Sequence, residues 1–148
     1  MSIINTTKIE EARKQIEKES KEGKQVIVLG QDEDFNRKIL ENKKVNILLS
    51  PEHNHNKDKL YERDSGLNHI LAKIARDNNI AIGIDIESIR KTEGKERGKL
   101  LARIKQNIKL CKKYKVKIKA FNFQDKLSTF SLLLVLSAST EMAKEAVS

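Results

Sequence analysis

The 148 residues carry 30 Lys and Arg against 21 Asp and Glu, a formal charge of +9, and 38% are hydrophobic. A chain of this length buries roughly 68–70% of its unfolded surface, so one self-supporting domain is expected, and the periodic apolar content argues against a disordered tail. The longest apolar run, Leu132 to Leu136, falls far short of the ~20 residues of a membrane helix. One cysteine, Cys111, excludes an intrachain disulfide and fits a reducing compartment. The opening Met1-Ser2-Ile3-Ile4 lacks a basic region and a long apolar stretch, so we expect no signal peptide and a cytoplasmic location.

Thr7 to Glu22 place Ile9, Ala12 and Ile16 three and four apart, which predicts a helix with a narrow apolar stripe. Gly23 permits an exit, and Gln25 to Leu29 is a short strand rich in β-branched residues. Asp32 or Asp34 can cap a second helix with Phe35, Ile39 and Leu40 inward. Val45 to Leu49 is a second strand, ended by Ser50-Pro51, and residues 52–64 read as a polar loop. Ser65 is the expected cap of a helix carrying Leu67, Ile70, Leu71, Ile74 and Ala75, the strongest helical pattern in the chain. Ile80 to Ile84, almost all apolar, suits a parallel strand buried on both faces. A short helix is expected around Glu87 to Arg90, then a basic turn between Gly94 and Gly98. Leu100 to Tyr114 is a helix with Leu100, Leu101, Ile104, Ile108 and Cys111 inward. Val116 to Phe121 is a fourth strand in which apolar residues alternate with Lys115, Lys117 and Lys119. Lys126 to Leu136 and Ser139 to Val147 close the chain as two helices. Helices alternating with strands imply an α/β fold with a parallel sheet of about four strands.

The charge is concentrated. Between Lys95 and Lys119 eleven Lys and Arg face one acid, Glu96, so this segment holds +10 and the remainder −1. Such focusing raises the local concentration of a polyanion, and nucleic acid is the first candidate because each neutralised phosphate releases a condensed counterion. A solvated helix face is the plainer reading.

Catalytic signatures are weak. Neither G-x-x-x-x-G-K-[ST] nor G-x-G-x-x-G occurs. His53 and His55, with Asp85 or His69, could supply the three ligands of a catalytic metal site, but no further cluster of acids and histidines supports them. Asp85 and Glu87 lie near the carboxyl end of a strand, where parallel sheets place their sites, yet capping of the next segment by Asp85 or Ser88 is the preferred reading. Cys111 sits on an apolar stripe and reads as core. Arg63, Asn68 and His69 at a helix start form an anion-accepting corner or a simple cap.

Three ordered segments make the chain recognisable: Asn36-Arg37-Lys38 through Val45 to Glu52, Arg63 to Ala75 followed by Ile80 to Ile84, and Arg103 to Tyr114. Together they resemble the ribonuclease P protein component 3 family, over the chain from about Gln25 onward. The resemblance implies a TIM-like (β/α) barrel of the PHP phosphoesterase kind, present here as a partial barrel without its amino-terminal units. It implies a non-catalytic subunit that assists a catalytic RNA in removing the 5′ leader of precursor tRNA. Magnesium is expected through the RNA, with no cofactor or metal on the protein. The expected partners are ribonuclease P RNA, precursor tRNA, protein component 2 and a possible second copy covering open sheet edges. Arg37, Arg63, Asn68, His69, Arg97, Arg103 and Asn107 match motif positions and, with Lys112 and Lys113, are the candidate contacts to RNA or partner. Only Tyr114 interrupts the basic belt as an aromatic, so phosphate contact is favoured over base stacking. The alternatives are a small metal-dependent phosphoesterase using His53, His55 and Asp85, and a general RNA-binding scaffold.

Overall fold

The structure, a computed structural model, describes residues 2–54, 58 and 63–148. The elements run β1 (Ile3–Ile4), α1 (Ile9–Lys21), β2 (Ile27–Leu29), α2 (Glu33–Leu40), β3 (Ile47–Leu49), α3 (His69–Asp77), β4 (Ala81–Asp85), α4 (Ile86–Lys91), α5 (Gly94–Tyr114), β5 (Ile118–Phe121), α6 (Lys126–Val135) and α7 (Thr140–Ala146). The strands form one parallel sheet in the order β1-β2-β3-β4-β5. Each strand therefore lies beside its neighbour in sequence, the winding of a (β/α) barrel, but the sheet is open at β1 and β5.

Alternation along the strands divides the apolar residues between two faces. Val28, Leu48, Ile82, Ile84 and Ile118 pack with the apolar stripes of the helices. On the opposite face Ile27, Ile47, Leu49 and Phe121 form a separate buried cluster with Leu29 and Ala81, built from strand residues alone. The register aligns Ile27, Ile47 and Ala81 in one row across three strands, and Leu29, Leu49 and Gly83 in another. These are cross-strand layers of the kind that fill a barrel interior. Gly83 fits closely there: a Cβ on it would lie 2.8 Å from Leu49 Cδ1 and 3.0 Å from Phe121 Cε1, so the Leu49 side chain would have to shift.

The α/β sheet and the partial barrel agree with the sequence reading, and four details differ. The described residues form five strands where about four were expected: β1 has two residues, too short for an alternating signal, and is held by pairing to Ile27 and Val28. The third helix starts at His69 with Asn68, not Ser65, as cap; Asn68 Oδ1 accepts the Leu71 N–H at 2.9 Å. Gly66, at φ +79°, turns the chain first. Ile70 does not face inward and is 46% exposed. The expected basic turn at Gly94 and Gly98 is the first part of α5, one continuous 21-residue helix.

Gly83→Ala tests how tightly the inner face is packed. Overpacking should cost about 1–3 kcal/mol in urea unfolding with an unchanged m-value. Unaltered or increased stability would mean that this face is loosely filled.

Candidate nucleic-acid interface

α5 has two different sides. Its buried side carries polar residues among the apolar ones: Arg103 and Asn107 stand beside Ile104, Ile108 and Cys111, all buried. Arg103 Nε donates to Asp58 Oδ1 at 3.0 Å, and its Nη1 donates to the carbonyls of Glu52 at 3.2 Å and Asn54 at 3.3 Å. One turn on, Gln106 pairs with both backbone groups of Arg63: its Oε1 accepts the N–H at 3.0 Å and its Nε2 donates to the carbonyl at 2.9 Å. Gln106 Nε2 also donates to Ser65 Oγ at 2.9 Å, and Asn107 Nδ2 to the Ser65 carbonyl at 3.0 Å. Three successive polar side chains thus supply the hydrogen bonds that the irregular backbone at 52–54 and 63–65 cannot find in a sheet.

α2 completes the clamp from the other side. Asn36, fully buried, accepts the Gln31 N–H on Oδ1 at 2.8 Å. Its Nδ2 donates to the carbonyls of Gln31, Pro51 and Gly66 at 3.2, 3.3 and 3.0 Å. Gly66 must be glycine, since a Cβ would stand 1.7 Å from the Pro51 carbonyl oxygen. The three segments that carry the family resemblance therefore converge on one buried polar node. The sequence reading missed Gln106 and the role of Asn36. The signal lay in polar residues placed on, or one position beside, an inward apolar stripe.

Two acids respond to this environment. Asp58 accepts Arg103 Nε, Arg63 Nη1 and the Asp64 N–H. Burial opposes its charge, but the Asp64 N–H and the two guanidinium groups hold its carboxyl below the ordinary range. Glu52, in the turn that follows β3, is pushed up to about 7, chiefly by burial; nearby Asp85 adds to the rise, while the Glu52 N–H and Arg103 oppose it. Asp85 caps α4 by accepting the Glu87 and Ser88 N–H groups and Ser88 Oγ–H, and it also accepts Asn122 Nδ2. That is the capping role, not a free acid–base pair. Among the described residues no group of three His, Cys, Asp or Glu could hold a metal ion. His53 is exposed, His69 is an exposed residue of α3, and His55 lies outside the described residues. Cys111 is a buried core thiol, pushed up to about 12 by burial.

The candidate contacts divide accordingly. Arg103 and Asn107 are buried in the clamp, and Asn68 caps α3 while donating to Glu33. Arg97 is exposed and its guanidinium donates to the last carbonyls of α4, those of Ile89 and Arg90. Arg37 pairs with Glu41, and Arg63 with Asp58. His69, Lys112 and Lys113 are exposed, and Lys113 Nζ stands 5.5 Å from the Tyr114 ring centroid. Lys105, Lys109, Lys112 and Lys113 fall on the outward side of α5, opposite Ile104, Ile108 and Cys111, and all four are exposed. No ion pair joins these four to a carboxylate among the described residues. The result is a cationic face with uncommitted charge, carried on a helix fixed from within.

Arg103→Ala should cost about 3–5 kcal/mol in urea unfolding, because Asp58 loses a buried partner; Lys112→Ala should stay within ~0.5 kcal/mol of wild type. Equal, small effects would show that the clamp carries little stability. Glu52 has a raised folded value, so the fold favours its protonated form. The stability that Glu52 contributes should be full below about pH 4.5 and fall by roughly 3 kcal/mol as pH rises through about 7. Glu52→Gln should flatten that loss, and an equally steep loss in the variant would assign it elsewhere.

No protein-family model matches the chain. It is 34% identical to ribonuclease P protein component 3 of Methanosarcina acetivorans over 130 residues, 83% of this chain and 51% of that protein. It is also 34% identical to ribonuclease P protein component 3 of Methanococcus maripaludis over 111 residues, 75% of this chain and 45% of that protein. The chain spans about half the length of the curated relatives it matches. A chain of the cryo-EM structure of archaeal ribonuclease P with mature tRNA shares the fold, with a TM-score of 0.79 and 24% identity, over 97% of this chain and 62% of that one. These likenesses make the chain a homologue of the ribonuclease P protein component 3 proteins.

Proposed function

We propose that the chain is a non-catalytic protein subunit of ribonuclease P in the cytoplasm, gripping the phosphates of the catalytic RNA while that RNA, with its own Mg2+, removes the 5′ leader of precursor tRNA. The uncommitted cationic face of α5, in a chain homologous to component 3, carries this reading. Lys105, Lys109, Lys112 and Lys113 are its strongest phosphate contacts. His69 and Arg63 extend the surface, whereas Arg103, Asn107 and Asn68 act by holding it in shape. Phosphate contact suits a face with one aromatic residue, because stacking needs several exposed rings.

A protein partner belongs to the same reading. The sheet is open at both ends, and α6 exposes Leu127 by 72% and Val135 by 75%. Open edges and exposed apolar side chains are normally covered. Protein component 2 is the favoured cover, and a second copy of this chain the other. Light scattering should report a dimer, or a complex once component 2 is added. A folded monomer indifferent to component 2 would argue against both.

Reconstitution with the cognate RNA at low Mg2+ tests the function: leader removal should depend on this chain, and unchanged processing in its absence would overturn the reading. In a salt titration each lost phosphate contact should reduce the slope of log K against log salt by ~0.7 on single strands or ~0.9 on duplex. Changing all four α5 lysines to Ala should therefore reduce the slope by about 3, whereas changing Lys14 and Lys18 of α1 should leave it intact.

A further inference from the structure

The turn after β3, α4 and the first half of α5 enclose a cleft of about 380 Å³, large enough for a small molecule or one inserted side chain. It lies beside the carboxyl ends of β3 and β4, where open α/β sheets place ligands. Ser88 and Thr92 line it from α4 and its cap, four residues apart. Glu96, Leu100 and Arg103 line it from one face of α5, and Glu52 from the turn.

What the cleft offers a ligand is mainly acceptors. Ser88 Oγ–H donates to Asp85 Oδ2 at 2.8 Å and Thr92 Oγ1–H to the Ile89 carbonyl at 2.9 Å, so each hydroxyl has only lone pairs left. Glu52 is 6% exposed, and its carboxyl accepts its own N–H but no side-chain donor among the described residues. Glu96 is exposed and enters no ion pair among them. Arg103 is committed: it gives Nε–H to Asp58 and Nη1–H to the carbonyls of Glu52 and Asn54.

Charge points the same way. With Arg103 matched by Asp58, the carboxyls of Glu52, Glu96 and the adjacent Asp85 stand against Lys99. In a chain of +9 this is a local excess of negative charge. Burial, with Asp85 adding to it, pushes Glu52 up to about 7 against the opposing pull of Arg103, as befits a buried carboxyl without a counter-ion of its own.

We propose that this cleft binds the guanidinium of an arginine side chain offered by a protein partner, with Glu52, Glu96, Ser88 Oγ and Thr92 Oγ1 as acceptors and Leu100 against its methylene stem. A planar fork of five N–H donors suits acceptors spread over three elements better than the compact ammonium of lysine does. The apolar wall takes the part of the side chain that water solvates poorly. The site is separate from the outward lysines of α5, and the inference holds whether or not the chain binds RNA.

Amide NMR of the full chain, titrated at pH 8 with ethylguanidinium, putrescine or tetramethylammonium, tests it. Ethylguanidinium should give saturable shifts at Ser88, Thr92 and Leu100. It should bind at least about tenfold tighter than tetramethylammonium, which has the charge without the donors. Glu52→Gln should weaken ethylguanidinium at least about tenfold, and Ser88→Ala about threefold. Absence of a saturable shift, equal binding of tetramethylammonium, or wild-type affinity in both variants would overturn the proposal. Tighter binding of putrescine would assign the cleft to a free diamine and overturn the arginine reading. Should Glu52→Gln fail to fold, Ser88→Ala and the choice among the cations decide it.

Discussion

An irregular backbone buried between helices must find partners for its peptide groups, and this fold meets that demand with side chains. The chain leaves β3 at Ser50-Pro51 and returns through residues 63–66 to start α3, and among the described residues no strand lies alongside to pair with it. Arg103, Gln106 and Asn107 from α5, with Asn36 from α2, supply the missing hydrogen bonds. A buried peptide group left unpaired costs roughly 1–3 kcal/mol, so several such groups could not be left unmet in a fold of ordinary stability.

This constraint explains why α5 carries a guanidinium and two amides on its inner side and lysines on its outer side. The inner residues fix where the helix sits. The outer lysines then present charge in a defined direction instead of scattering it. Contacts made by such a face are electrostatic and independent of base identity, which suits a surface positioning folded RNA rather than reading its sequence. Asp85, the acid best placed at the strand ends, spends its oxygens on the α4 N-terminus, Ser88 and Asn122.

Much of the architecture was legible because it rests on periodicity. The strands at Ile27, Ile47, Ala81 and Ile118 and the helices between them follow from apolar patterns that extend over several residues. β1 was not legible, because two residues cannot show a period and their strand state comes from pairing across the sheet. Ile70 misled, since the apolar stripe of α3 continues around the helix beyond the strip that the core covers. A cap from Asp85 or Ser88 was expected at the start of α4, and Asp85 supplies it. The motif positions of Arg103 and Asn107 were legible but their burial was not, because an arginine in a basic segment looks solvent-directed until the loop that wraps it is placed. Gln106 was missed for the same reason: its partners, Arg63 and Ser65, lie over forty residues earlier.

α5 holds the fold with one side, and we propose that it holds RNA with the other. Lysine acetylation mapped by mass spectrometry, with and without ribonuclease P RNA, tests it most directly. Protection is expected only at Lys105, Lys109, Lys112, Lys113 and their neighbours at the start of β5, with Lys14 and Lys18 of α1 modified equally in both states. Protection spread evenly over the surface, or centred on α1, would contradict it.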